Sequence, residues 1–255
     1  MKESKKNKLK EIRGVITALV TPFDESGAID WSSFERLIAD QVRAGIHGVI
    51  PCGTTGESPT LSLDEKKSLI QKTIELCSDT HTAVIAGTGS NSTPETIALS
   101  SWASEAGADG VLIVTPYYNK PSQSGLVAHF SAVADAVQCP VMLYNVPGRT
   151  GTSITPETVA TLAGHPKIRF LKEATGNVAL SSEMIDTMAE KGQSLSIFSG
   201  DDATYLPLLA IGGSGVVSVA SNLFPRAMVA LQAAAEASDL GEAKKIHQRF
   251  FPLFR

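Results

Sequence analysis

Cysteine is scarce in this chain. Its three copies, Cys52, Cys77 and Cys139, are odd in number and widely spaced. They form no disulfide framework and match no zinc-ligand spacing. The expected compartment is the reducing cytoplasm. Long hydrophobic runs are missing too. No apolar stretch approaches the length of a membrane span, and the N-terminus lacks the apolar core of a signal peptide. No membrane partner is expected. Excess positive charge is also lacking: the formal net charge is −4, so no nucleic-acid partner is expected. The one basic cluster, Lys2, Lys5, Lys6, Lys8 and Lys10, has no apolar periodicity and is expected to form a flexible tail over residues 1–11. A nucleotide-binding glycine signature is absent. Gly87-Thr88-Gly89 has no third glycine at the required offset, and no Lys-Ser or Lys-Thr follows Gly53-Thr54-Thr55-Gly56. His47, His81, His129, His165 and His247 share no ligand spacing, so no metal site is expected, and they read as ordinary surface or turn residues.

What the chain does have is regular recurrence. Short β-branched or apolar runs occupy residues 15–20, 48–51, 83–86, 111–114, 141–144, 168–171, 195–198 and 216–219. Each has the length and composition of a strand buried on both faces. Amphipathic stretches with helix-start signals lie between them. Asp30 precedes 31–44, and Ser62 precedes 63–77 with Glu65 placed for a capping box. Thr93-Pro94-Glu95 and Thr155-Pro156-Glu157 each set a capping hydroxyl before a proline. Asp201 or Asp202 is placed to cap 203–211, and that role is favoured over metal ligation. Eight strand–helix repeats predict a closed α/β barrel, a (β/α)₈ TIM barrel, over residues 12–238. One further helix, 240–254, is expected in a C-terminal helical extension over 239–255.

In such barrels chemistry sits at the carboxyl ends of the strands, and the unusual residues of this chain fall there. Lys172 closes the sixth apolar run. A charged amine at the buried end of a strand costs several kcal/mol and escapes that cost by losing its proton. A neutral lysine amine is a nucleophile that forms Schiff bases with ketones. The competing reading is a strand-end lysine that extends into solvent. Gly53-Thr54-Thr55-Gly56 follows the second run; its amides and hydroxyls suit a carboxylate, or the segment is an ordinary polar turn. Tyr117, Tyr118 and Tyr144 are three of only four tyrosines. With Thr54 they either form a proton relay or pack as core aromatics with satisfied hydroxyls. Arg149 lies in the loop after the fifth run, as a carboxylate clamp or a surface arginine. Cys52 has no histidine partner in sight and reads as a small buried residue.

Taken together, Gly53-Thr54-Thr55-Gly56-Glu57, Tyr117-Tyr118-Asn119-Lys120-Pro121, Tyr144-Asn145-Val146-Pro147-Gly148-Arg149-Thr150-Gly151 and Lys172-Glu173-Ala174-Thr175-Gly176 resemble the dihydrodipicolinate synthase branch of the pyruvate-dependent class I aldolases. The likeness runs from about Gly14 to the end of the chain. It implies that Lys172 condenses with the keto group of pyruvate, that Tyr144 is the general acid–base group, and that Thr54 and Tyr118 complete a hydroxyl relay. Thr55 and neighbouring amides would hold the pyruvate carboxylate. Arg149 would receive L-aspartate 4-semialdehyde, and Gly200 and Val217 would wall the site. Tyr118 would come from a neighbouring subunit, so a homodimer or homotetramer is implied. No cofactor is implied, because the lysine imine is itself the electron sink. Members usually continue some tens of residues past the position of Arg255, so the C-terminal extension is expected to be partial. A sister activity, cleavage of N-acetylneuraminate or 2-keto-3-deoxy sugar acids, shares the lysine and tyrosine. Arg149 discriminates, since a small acidic aldehyde needs a cation that a polyhydroxylated sugar does not. The alternative from another class is a barrel that has lost catalysis and serves for binding; Lys172, Tyr144 and Thr54 argue against it.

Overall fold

The computed structural model describes residues 12–254. The basic cluster expected to form a flexible tail therefore lies outside the described residues. Eight parallel strands close into a barrel in sequence order: β1 (Gly14–Ala18), β2 (Gly48–Ile50), β3 (Ala83–Gly87), β4 (Gly110–Val114), β5 (Val141–Asn145), β6 (Ile168–Glu173), β7 (Ser196–Ser199) and β8 (Gly215–Ser218). The ring is completed where β8 pairs with β1, Val216 opposite Val15 and Val217 opposite Ile16. This is the expected (β/α)₈ architecture. The apolar runs were legible because both faces of each strand are covered. Leu143 and Leu171 face the layer between barrel and helices, whereas Met142, Tyr144, Phe170, Phe198 and Val217 fill the interior. Strand alternation separates the two sets.

Ten helices are described: α1 (Trp31–Arg43), α2 (Leu63–Cys77), α3 (Thr93–Ala106), α4 (Gln123–Ala136), α5 (Pro147–Thr150), α6 (Pro156–Ala163), α7 (Val178–Glu190), α8 (Tyr205–Ala210), α9 (Pro225–Glu236) and α10 (Leu240–Phe250). Asp30 caps α1, accepting from the Ser33 amide at 3.0 Å. Ser62 and Glu65 form the full capping box at α2. Each such cap stabilises its helix by about 1 kcal/mol. Thr155 caps α6. No helix among the described residues is long and apolar enough to cross a membrane.

Three local expectations are corrected, and the choice between two caps is decided. The cap of α3 is Ser92, not Thr93; the Thr93 hydroxyl instead hydrogen-bonds His129 Nδ1 at 2.8 Å. That contact makes His129 a buried residue of α4, packed against Phe130, rather than a surface or turn residue. Asp201 caps a short 3₁₀ turn before α8, accepting from the Ala203 amide at 3.0 Å, while Asp202 turns its carboxylate to the loop after β8. The helix expected over 240–254 ends at Phe250 and continues as a 3₁₀ turn, Phe251–Leu253. Pro252 explains this: it has no N–H to donate to the carbonyl four residues earlier, so the α-helical ladder cannot continue through it.

Candidate active site

β5 and β6 pair so that Tyr144 lies opposite Lys172 and Asn145 opposite Glu173. Alternation sends the first pair into the barrel and the second outward. Lys172 Nζ sits 4.0 Å from the centroid of the Tyr144 ring, and each residue is only 5% exposed. Burial penalises the ammonium and lowers the Lys172 pKa to about 7; Asp202 opposes this and Arg149 adds to it. A substantial fraction of this amine is thus neutral at ordinary pH, the form that attacks a carbonyl. Burial raises the Tyr144 pKa, against a hydrogen bond with the Thr54 side chain and the charge of Arg149. The phenol therefore keeps its proton and can donate it.

The loop after β2 brings Thr54 to Tyr144. The chain bends at Cys52, which adopts a left-handed φ of 58°. Its carbonyl packs so closely on β3 that a Cβ at Gly87 would stand 2.3 Å from that oxygen. Beyond the bend, Gly56 and Ser58 donate their amides to Gly53 O, and Glu57 donates to Thr54 O. Among the described residues the Thr54 and Thr55 amides donate to no protein acceptor. Cys52 is buried as expected, and burial pushes its thiol up to about 12, which leaves it a poor nucleophile.

Thr54, Tyr144 and Arg149 line one cavity of about 280 Å³, together with Ser58, Lys66 and Tyr117. Arg149 stands on α5, a single turn started by Pro147 and closed by Gly151 at φ 70°. Lys172 is not in the wall of this cavity. Tyr118 is not brought to Tyr144 within the chain: it is 90% exposed and has a left-handed φ of 71°. Gly200 lies against the lysine stem, since a Cβ there would meet Lys172 Cε at 3.1 Å and Ala174 Cβ at 2.6 Å. Val217 is fully buried in the barrel interior. The structure thus unites Thr54, Tyr144, Arg149, Lys172 and Gly200, and leaves Tyr118 facing solvent.

Three polar residues at the site were given no role there by the sequence. Asp202 is buried, and its Oδ2 accepts the Val219 and Ala220 amides at 3.0 and 2.9 Å. It is the carboxylate that favours the charged form of Lys172. Asn145 and Glu173 are buried behind the reacting pair and share a 2.7 Å hydrogen bond. Strand parity was the available signal: each follows a singled-out residue and so faces the helix layer, where a polar side chain is costly unless bonded.

The sequence from residue 11 to 255 matches the model of the dihydrodipicolinate synthetase family. The 4-hydroxy-tetrahydrodipicolinate synthase of Leptospira biflexa serovar Patoc is 51% identical over 242 residues, which cover 95% of this chain and 81% of that protein. The solved structure of the 4-hydroxy-tetrahydrodipicolinate synthase from Methylacidiphilum fumariolicum SolV superposes with a TM-score of 0.92 at 46% identity, covering 96% of this chain and 80% of that one. The chloride-inhibited dihydrodipicolinate synthase of Acinetobacter baumannii, complexed with pyruvate, gives a TM-score of 0.91 at 42% identity, covering 95% and 82%.

Proposed function

The chain belongs to the dihydrodipicolinate synthetase family, and on that premise we propose that it condenses pyruvate with L-aspartate 4-semialdehyde as a 4-hydroxy-tetrahydrodipicolinate synthase, on the path to diaminopimelate and lysine. The observation that carries the reading is the buried Lys172 amine, with its pKa lowered to about 7, against the face of Tyr144.

The neutral Lys172 amine adds to the pyruvate ketone, giving a carbinolamine that loses water to become the imine. Tyr144 supplies the proton for that water and takes protons back in later steps. Positioned acid–base groups of this kind contribute about 10²- to 10⁴-fold. The imine withdraws electrons from the pyruvate methyl group, which loses a proton and becomes the enamine carbon nucleophile. That carbon attacks the semialdehyde carbonyl and forms the new C–C bond. The amino group brought in by the semialdehyde then adds to the imine carbon and closes the ring, and its new C–N bond replaces the bond to Lys172, which leaves as the free amine. Thr54, whose side chain bears on the Tyr144 phenol across the shared cavity wall, extends the relay. Tyr118 completes it from a second copy of the chain, which agrees with its 90% exposure and makes a homodimer or homotetramer the active form.

The pyruvate carboxylate is held by the Thr55 hydroxyl and by amides of the 53–57 loop, where those of Thr54 and Thr55 are uncommitted. Arg149, exposed at the loop tip, receives the carboxylate of the semialdehyde. Gly200 leaves room for the imine beside the lysine stem, and Val217 closes the apolar side.

Borohydride reduction in the presence of pyruvate tests the proposal. The expected result is irreversible inactivation with one adduct per chain, on the peptide containing Lys172, and none in Lys172→Ala. Turnover of pyruvate with aspartate semialdehyde, compared with cleavage of N-acetylneuraminate, then separates synthase from sugar-acid lyase.

A further inference from the structure

At the carboxyl rim of the barrel an apolar layer is interrupted by two polar side chains. Leu143 and Leu171 sit opposite one another on the outward faces of β5 and β6, and two residues further on Asn145 and Glu173 occupy the same faces. Asn145 is fully buried and Glu173 is 5% exposed. Two leucines there would pack without desolvating a carboxylate. Among the described residues Glu173 joins no ion pair. Its charge rests on hydrogen bonds alone: Oε2 accepts from Asn145 Nδ2 at 2.7 Å and Oε1 from the Thr175 amide at 2.6 Å. Burial raises its pKa, and these bonds oppose the rise.

The bonds run to three segments that carry the site. Asn145 Oδ1 accepts the Ile154 amide at 3.0 Å. One amide side chain thereby ties the start of the loop bearing Arg149 to its end, and ties both to the end of β6. Thr175 begins the turn after Lys172 and Glu173, so the same carboxylate also sets that turn. The Glu173 backbone carbonyl accepts the Gly200 amide at 2.7 Å, fixing the residue that packs on the lysine stem. The charge balance at Lys172 is dominated by burial, Asp202 and Arg149, so Glu173 acts there through position.

We propose that Asn145 and Glu173 are positioning residues for the lysine chemistry: their hydrogen bond behind the barrel wall locks β5 to β6 at the register that sets Lys172 against Tyr144, and holds the Arg149 loop closed. This rests on the imine reading of Lys172. Glu173→Gln leaves the shape unchanged but turns an amide donor toward the Asn145 or Thr175 donor. Adding Asn145→Asp reverses the pair. The carboxylate at 145 then accepts from Ile154 and from the new amide, whose oxygen accepts from Thr175, so every bond is restored and only the one between the two side chains has donor and acceptor exchanged.

The experiment is the rate of pyruvate-dependent borohydride inactivation against pH, with a thermal melt of each variant. Misplacement of reacting groups by an ångström costs up to about 10²-fold, so Glu173→Gln is expected to slow trapping at least tenfold, on the order of that scale. Its pH midpoint should also move upward, because a loosened rim admits water and favours the ammonium. The double exchange should recover trapping to within about threefold of wild type, the hydrogen bonds being equivalent. A lowered melting temperature with unchanged trapping rate and midpoint would mean a purely structural pair and overturn the inference, as would a folded double variant as slow as the single one. If Glu173→Gln does not fold, the double exchange carries the test; if the double does not fold, the midpoint of Glu173→Gln carries it. An untrapped wild-type chain overturns the imine reading and this inference together. A trapped wild type matched by its variants overturns this inference alone.

Discussion

Tyr144 and Lys172 occupy opposite positions on neighbouring strands, and the lysine amine rests 4.0 Å from the centre of the tyrosine ring. Parallel pairing of β5 with β6 supplies that relationship, and burial of both side chains gives it chemical meaning. The amine is pressed toward its neutral form while the phenol is pressed toward its protonated form. A nucleophile and an acid thus face each other in the states that imine formation needs.

Imine trapping should depend on pH with a midpoint near the Lys172 value. Only the neutral amine adds to pyruvate, and its pKa is lowered to about 7. The trapping rate should therefore rise between about pH 6 and pH 8 and level off above, one unit either side of the midpoint covering most of a titration. Stopped reactions at controlled pH measure this. A rate still climbing steeply near the ordinary lysine value would show that the amine is solvated.

The same burial leaves a mark on stability. Unfolding returns Lys172 to the ordinary lysine value of 10.5 from about 7. Between those values the unfolded chain binds a proton that the folded chain does not, so stability rises with pH across that window. Relative to Lys172→Met, the wild-type chain should gain up to about 1.4 kcal/mol per pH unit there. Paired urea melts at neutral and mildly alkaline pH give the difference, in which other titrating groups cancel. Equal slopes would contradict the buried, depressed amine.

Arg149→Ala should separate the two substrates. With the guanidinium gone, the KM for aspartate semialdehyde should rise while the pyruvate adduct still forms. Hydrogen bonds to a charged group are worth about 1.5–3 kcal/mol, so a rise of about tenfold is expected, each 1.4 kcal/mol being about tenfold. Arg149 also lowers the Lys172 pKa, so the trapping midpoint should move upward in this variant. Loss of pyruvate trapping at high pH would show that the arginine serves the first substrate instead.

Tyr118 offers a test of assembly. Tyr118→Phe and Lys172→Ala chains should each be impaired alone. Mixed and re-equilibrated, they should recover activity, because a mixed dimer holds one site with an intact lysine and an intact tyrosine from the other chain. The recovery should grow with protein concentration. Absence of complementation, with exchange confirmed by mass, would mean that Tyr118 serves its own chain's site or none.

The barrel was readable because covered strands give continuous apolar runs, and every observed strand lies within a residue or two of such a run. Capping at Asp30, Ser62 and Thr155 was equally legible, since a cap is a contact over three residues. Thr93 was misread because Ser92 and Thr93 are both capping types, and the choice between them depends on His129, 36 residues away. The choice between Asp201 and Asp202 as a cap was open for a similar reason: the partners that draw Asp202 away, Val219 and Ala220, lie 17 and 18 residues downstream.

By itself the sequence determined the repeat of strand and helix, the positions of the reactive side chains at strand ends, and the family to which they point. These depend on local spacing and on residue chemistry. Only the tertiary structure decided that Lys172 titrates about 7, that Asn145 and Glu173 bond behind it, and that Tyr118 stands apart from Tyr144 within one chain. Burial and pairing across distant strands set those outcomes, and a pKa or a hydrogen bond belongs to the surroundings a side chain meets after folding.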